Sequence, residues 1–285
     1  MNELKAALLG ALQGLTEFLP VSSSGHLEIA KKLFNLESVP KLFDVILHFA
    51  TLLAVVIYFR KQIAEFFQVL FRWIFRKPAP EKTMAQDGLC STEESGRRTI
   101  IAVIITTFIT AVLGFAGEKL IPDVPLMFVF IGFFVTSILL VASGFVSRAQ
   151  LKKAPEEIKE YKGITILQSV VVGVFQGIGT LPGISRSGST ISGSLFTGVD
   201  RKRAGEYSFI VSIPAILGAF ILEMKDLKGV KEAVGTLPLI IGFVSAFVVG
   251  YFALAFLMKL IKKGKLEWFS IYLVLAGIFG LIFLC

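Results

Sequence analysis

Apolar and polar positions divide the chain into segments that repeat one pattern. Apolar runs recur at 43–59, 99–117, 126–146, 205–222, 237–258 and 268–284. Each is within the about 17–25 residues that a helix needs to cross a hydrocarbon core. Two further stretches are cut short. From Ala6 to Leu19 there are 14 residues, roughly 21 Å of helix, after which Pro20 and the serine-glycine run of "VSSSGH" (21–26) break the segment. A second short helix from Leu27 to about Leu36 returns to the same surface. The same arrangement fits 164–181 and 189–198, with "LPGISRSGST" (181–190) across the break. Both stretches predict re-entrant helix-loop-helix hairpins. Irregular backbone at membrane depth is tolerated only where protein buries it or it lines a wet cavity.

Sliding the sequence on itself by 163 residues aligns Gly10 with Gly173, Gln13 with Gln176 and Gly14 with Gly177. It also aligns Ser22, Ser24 and Gly25 with Ser185, Ser187 and Gly188. Each half then reads as one hairpin followed by three spans, an internal duplication. A hairpin returns to its own side, so three crossings leave the second half upside down. The expected fold is an all-α polytopic membrane protein, one membrane domain over 1–285. It holds two inverted-topology repeats at 1–150 and 160–285, each a re-entrant helix-loop-helix hairpin plus three transmembrane helices. Between the first two spans, 60–98 is a cytoplasmic connection. Its first part, "RKQIAEFFQVLFRWIFRK" (60–77), mixes aromatics with bases as an interfacial helix does. The polar, breaker-rich 78–96 reads as a mobile loop.

Composition strengthens the membrane assignment: 54% of the residues are hydrophobic and 18% charged. The net charge of +8 would suit a nucleic-acid binder, but its placement does not. With 60–98 in the cytoplasm, the segments 60–98, 147–163, 199–204 and 259–267 carry 20 of the 29 Lys and Arg residues. That bias follows the positive-inside rule and predicts both termini outside, with no nucleic-acid partner. Cys90 and Cys285 have no metal spacing and suggest no disulfide framework. The N-terminal run does not read as a cleaved signal, because Glu17 interrupts it and no small-residue cleavage site follows.

The hairpin tips carry the candidate chemistry. Inverted halves bring them together from opposite faces, the usual placing of a site in such folds. The first tip offers Gln13 and Glu17 on one helix face, then Ser22, Ser23, Ser24, Gly25 and His26. The second offers Ser185, Arg186, Ser187, Ser189 and Thr190. An ionisable group at depth costs at least about 2.5–3.5 kcal/mol, so Glu17 and Arg186 need partners, water or a ligand. A structural Glu–Arg pair would satisfy both, yet would leave the hydroxyls, His26 and the glycines without a purpose. An anion site accounts for all of them. Ser-x-Ser-Gly ahead of a helix presents backbone N–H groups and the positive end of a helix dipole. Arg186 can grip phosphate oxygens through two parallel bonds. A nucleophile (Ser23 or His26), a base and a clamp fit phosphoryl transfer. Gln13 and Glu17 could help hold Mg²⁺ or Ca²⁺, with Glu28 and Asp44 read as interfacial charges. His48, inside an apolar span, reads as structural.

At these residues the chain resembles the undecaprenyl-pyrophosphate phosphatase (bacitracin-resistance) family. Gln13-Gly-Leu-Thr-Glu17 is similar to its first motif, Pro20 to His26 to the Pro-Val-Ser-Ser-x-Gly-His that follows, and Pro182 to Thr190 to its second. The resemblance covers essentially the whole chain. It implies a phosphatase of the bacterial cytoplasmic membrane that removes the terminal phosphate of undecaprenyl pyrophosphate. This recycles the carrier lipid for peptidoglycan synthesis and confers bacitracin resistance. It also implies a divalent cation, catalytic roles for Glu17, Ser23, His26 and Arg186, and phosphate contacts from Ser22, Ser24, Gly25, Ser185, Ser187 and Thr190. Gln13 is the less acidic of the residues that the family's first motif allows. The partner is the polyprenyl pyrophosphate lipid in its bilayer; whether the protein is a homodimer stays open. Inverted repeats with broken helices also suit a polyprenyl-phosphate flippase or transporter, which would need the cradle but not the hydroxyl–histidine cluster.

Overall fold

The structure is a computed structural model that describes residues 1–79, 88–120, 124–151, 161–224 and 227–285. Among them there are twelve α-helices and no strand: α1 (Glu3–Phe18), α2 (Ser23–Leu33), α3 (Lys41–Tyr58), α4 (Arg60–Ile74), α5 (Glu93–Leu120), α6 (Leu126–Leu151), α7 (Ile166–Ile178), α8 (Arg186–Phe196), α9 (Arg201–Glu223), α10 (Leu227–Val234), α11 (Thr236–Lys263) and α12 (Trp268–Phe283). Helices α3, α5, α6, α9 and α11 are long and apolar enough to cross a membrane. The sixth expected span, α12, has 16 residues, about 24 Å of helix, and packs along α6. The protein is a multi-pass membrane protein.

Each break has a local cause. Asn2 caps α1 by accepting from the Lys5 N–H at 2.9 Å. Thr165 and Gln168 form a capping box on α7. Ser22 caps α2 by accepting from Gly25 N–H, and Ser185 caps α8 by accepting from Gly188 N–H. The residues that coincide at a shift of 163 thus supply the same side-chain cap twice. The long helices overrun the expected spans. α5 begins at Glu93 instead of 99, and α11 ends at Lys263, where Gly264 takes a left-handed conformation at φ 65°. The 78–96 loop is correspondingly shorter, since 93–96 is helical; 80–87 lies outside the described residues, as does 152–160 of the expected 147–163 segment. Helix α10 falls in a polar stretch between two spans, which the periodicity of the spans did not predict.

Packing crosses between the two halves of the chain. α1 lies along α11 and α7 along α5, while α3 meets α9 and α6 meets α12. Glycine allows the first two contacts. A Cβ on Gly14 would stand 2.6 Å from the Ala246 carbonyl oxygen, and one on Gly10 would strike the Gly242 carbonyl. Across the molecule, a Cβ on Gly173 would come within 2.9 Å of Ile109 and one on Gly177 within 2.6 Å of Leu113. Without a hydrophobic drive between helices in lipid, such backbone approach is what lets dispersion hold them. Outward faces are apolar, as on α5 (Ile104, Phe108, Phe115) and α12 (Trp268, Ile271, Leu275, Phe279).

α4 runs beside the N-terminal turns of α5. Arg72 donates twice to Glu93, at 3.1 and 2.9 Å, and Val69 packs against Gly96. Phe67, Phe71, Ile74 and Phe75 stay exposed, and Lys77 lies over the Phe71 ring at 5.0 Å. This exposed aromatic and basic face has the amphipathic character expected of 60–77.

Candidate active site

The two tips meet on Glu17. It stands in the last turn of α1, buried on the helix face that also carries Gln13. Its Oε1 accepts from Arg186 Nη2. Its Oε2 accepts from Ser23 Oγ at 2.6 Å and from Gln13 Nε2 at 2.9 Å. His48 Nε2 stands 3.4 Å from the same oxygen. One carboxylate therefore gathers a hydroxyl, an amide, a guanidinium and an imidazole from four helices. A buried charge needs that many partners to offset its lost hydration.

Ser23 and Arg186 are the first residues of α2 and α8, whose N-terminal N–H groups and dipoles favour negative charge. A cavity of roughly 210 Å³ opens between them. Glu17, Ser22, Ser23, Ser24 and His48 line one side, and Thr110, Gly179, Thr180, Ser185 and Arg186 another. Ile184, Ala215, Ile216 and Ala219 make an apolar wall. The last three follow Pro214, which lies inside α9. Enclosing sites for whole small ligands run to about 300–1,000 Å³. This smaller, polar-ended cavity suits a head group whose tail remains in lipid.

Not every expected residue faces the cavity. Gly25 is buried behind it, its N–H held by Ser22 Oγ. Ser187 Oγ donates to the Phe18 carbonyl at 3.1 Å and so ties the two tips together. Thr190 Oγ1 donates back to the Arg186 carbonyl at 2.8 Å and lies against Ser208. His26 turns away: Nδ1 meets the Ser22 carbonyl at 2.8 Å and Nε2 the Tyr272 hydroxyl at 2.6 Å. The imidazole at the cavity is His48, which the sequence placed in an apolar span. Its Nδ1 is 2.8 Å from the Asp44 carbonyl, leaving Nε2 toward Glu17. Asp44 and Glu28 both flank the buried Lys31, at 2.6 and 3.8 Å. Thr110 and Thr180 also reach the cavity and belong to no motif singled out in the sequence.

The donor set does not by itself cage a cation. Both Glu17 oxygens are engaged, one of them by a guanidinium, and no group of three or more His, Cys, Asp or Glu comes together among the described residues. A buried Gln13 Oε1 has no hydrogen-bond partner, but one amide and one paired carboxylate leave most ligands to come from elsewhere.

A helical membrane protein with a small, polar-ended cavity at two helix N-termini is the class that fold and site define. The chain matches the family described as bacitracin resistance protein BacA over residues 6–279, and it belongs to that family. Its relatives include proteins named undecaprenyl-diphosphatase. One from Treponema denticola is 46% identical over 98% of this chain and 96% of its own length. One from Desulfatibacillum aliphaticivorans is 40% identical over 97% of both, and one from Borrelia recurrentis 37% identical over 96% of both.

Proposed function

We propose that the protein is an undecaprenyl-diphosphatase, cleaving a polyprenyl diphosphate to the monophosphate and inorganic phosphate. The observation that carries this reading is the convergence of the Ser23 hydroxyl and the Arg186 guanidinium on one buried carboxylate, Glu17, at the cavity. Full-length relatives bearing that name support it, and they do not favour the flippase alternative.

The head group lies across the N-termini of α2 and α8, with Arg186 on the terminal phosphate and the first prenyl carbons on the Ile184, Ala215 and Ile216 wall. Ser23 Oγ attacks the terminal phosphorus and passes its proton to Glu17 Oε2. The bond from phosphorus to the bridging oxygen breaks, and its electrons leave on the polyprenyl phosphate. Water then attacks the phosphoserine phosphorus, the bond from phosphorus to the Ser23 oxygen breaks, the water's two protons leave on the released phosphate, and the Ser23 oxygen takes its proton back from Glu17. Charge building on the phosphoryl oxygens faces Arg186 and two helix dipoles, fixed before reaction, the arrangement that lowers such barriers most. Glu17 and Gln13 would be the protein donors to a divalent cation arriving with the diphosphate, and that cation would supply charge neutralisation.

The same reading places the protein in the bacterial cytoplasmic membrane, as inverted repeats at 1–150 and 160–285 with both termini outside and 60–98 in the cytoplasm. The recurring Ser-x-Ser-Gly turns and the crossed α1–α11 and α5–α7 contacts support the duplication. All the proposed site groups come from one chain, so the site does not require a homodimer. Phosphate release from undecaprenyl diphosphate by the purified protein is the test. Wild type should turn over and Ser23→Ala, Glu17→Gln and Arg186→Ala should not; wild-type rates in those variants would overturn the site.

A further inference from the structure

His26 and Tyr272 lie 246 residues apart, yet their polar atoms meet at 2.6 Å. The contact fixes the state of the ring. Nδ1 faces a backbone carbonyl, that of Ser22, and only a nitrogen carrying hydrogen can bond to it. In the neutral imidazole Nε2 is then the acceptor, and the Tyr272 hydroxyl donates to it. Phe133 also lies near-parallel to the imidazole, with ring centres 5.1 Å apart. Both ring nitrogens are thus committed, and His26 is not among the residues that line the cavity.

What it does hold is a strained turn. Ser22 sits at φ 70°, in the left-handed region that a non-glycine residue occupies only when its surroundings impose it. The corresponding tip provides an internal comparison. At a shift of 163, Ser185 matches Ser22 and Ser189 matches His26. Ser185 has an ordinary φ of −76°, and the buried Ser189 hydroxyl makes no hydrogen bond. The second tip takes its left-handed turn at Gly183 (φ 85°), where no Cβ opposes it, whereas the tip that carries the imidazole places a serine in that region. The residue after Ser22 is Ser23, whose Oγ must point at Glu17.

We propose that Tyr272 and His26 form a positioning relay, Tyr272 orienting the imidazole and the imidazole holding the Ser22 carbonyl so that Ser23 is aimed at Glu17 and the phosphorus. His26 is on this account a positioning residue and not the base. The kinetic consequence rests on the phosphatase reading, whereas the hydrogen-bond chain does not.

Two measurements test it. The first is steady-state phosphate release from undecaprenyl diphosphate. Tyr272→Phe should lower kcat about 10-fold, the size of one hydrogen bond lost from an unsatisfied partner, with KM little changed. His26→Ala should lose about 100-fold, as misplaced reacting groups do. His26→Asn, whose amide N–H falls where Nδ1–H was, should recover a large part of that loss, and His26→Gln should not. A His26→Asn protein as inactive as His26→Ala would put the imidazole into the chemistry and overturn the proposal. The second is the ¹⁵N spectrum of histidine-labelled protein; the chain has two histidines, and His48→Gln identifies the pair belonging to His26. A protonated Nδ1 and an Nε2 resonance that moves in Tyr272→Phe are expected. An unmoved Nε2 would overturn the relay even if wild type released no phosphate and the phosphatase reading itself failed. Tyr272→Phe keeps the shape of the side chain, so the proposal stays testable if the His26 variants fail to fold.

Discussion

Ser23 and Arg186 stand at the same point of two corresponding helices, the first residue of α2 and of α8, and both donate to Glu17. The shift of 163 that pairs them also pairs Glu17 with Thr180, and both of these line the cavity. The frame is thus repeated while its chemistry is not. One tip carries the Ser23 hydroxyl and its acceptor Glu17, the other the Arg186 guanidinium.

Removing the clamp leaves Glu17 charged and buried at 3% side-chain exposure. Arg186→Ala should therefore lose about 3–5 kcal/mol of stability as well as about 10³-fold in turnover. Adding Glu17→Gln should restore thermal stability without restoring phosphate release. Unfolding curves in detergent read beside the assay separate the two effects.

The three neighbouring serines should behave differently. Ser23 donates to Glu17, whereas Ser24 pairs only with the Ser22 hydroxyl at 3.4 Å. Ser23→Ala should abolish turnover and, by removing one bond to the buried Glu17 charge, also lower the melting temperature. Ser24→Ala should retain activity within about 10-fold, the worth of one neutral hydrogen bond.

His48 is the cavity's imidazole, 3.4 Å from Glu17 Oε2. His48→Ala should lower kcat by about 100-fold, the lower end of what a positioned acid or base contributes. Unchanged kinetics would return His48 to a packing role.

Gly14 and Gly218 should respond in opposite senses. A side chain on Gly14 meets the backbone of α11, while a Cβ on Gly218 meets nothing within 4 Å. Gly14→Val should cost about 1–3 kcal/mol or more. Gly218→Ala, inside helix α9, should gain about 0.5–1 kcal/mol. Thermal melts of the purified variants measure both.

The two cysteines should report differently to thiol reagents. Cys285 is exposed, whereas Cys90 is buried and its thiol is pushed up to about 12, first by burial and then by Glu65 and Glu93 nearby. Raising a thiol's pKa depletes the reactive thiolate at neutral pH. An impermeant maleimide added to intact cells should modify Cys285 and leave Cys90, and denaturation should expose Cys90.

The two helix breaks were legible because Pro20 and the Pro182-Gly183 pair interrupt the apolar runs, and the Glu17–Arg186 pairing was legible because charge is rare at depth. Span ends were less so: the helix continues past the apolar window wherever Glu93 or Lys263 still supports it. His48 was missed for a physical reason. Between Leu47 and Phe49 it looks like one polar atom in a packed face, and only the seating of α3 beside α1 turns it toward Glu17. His26 drew the opposite error, since its neighbourhood in sequence is the serine cluster while its bonding partner is on α12. Local spacing can place a residue on a tip; it cannot say which way the ring turns.

The crossed seating of α1 on α11 and of α7 on α5 bears on how such a chain folds. Neither half of the chain can seat its own first helix, since α1 rests on α11 and α7 on α5, so both halves must be in place before either completes its packing.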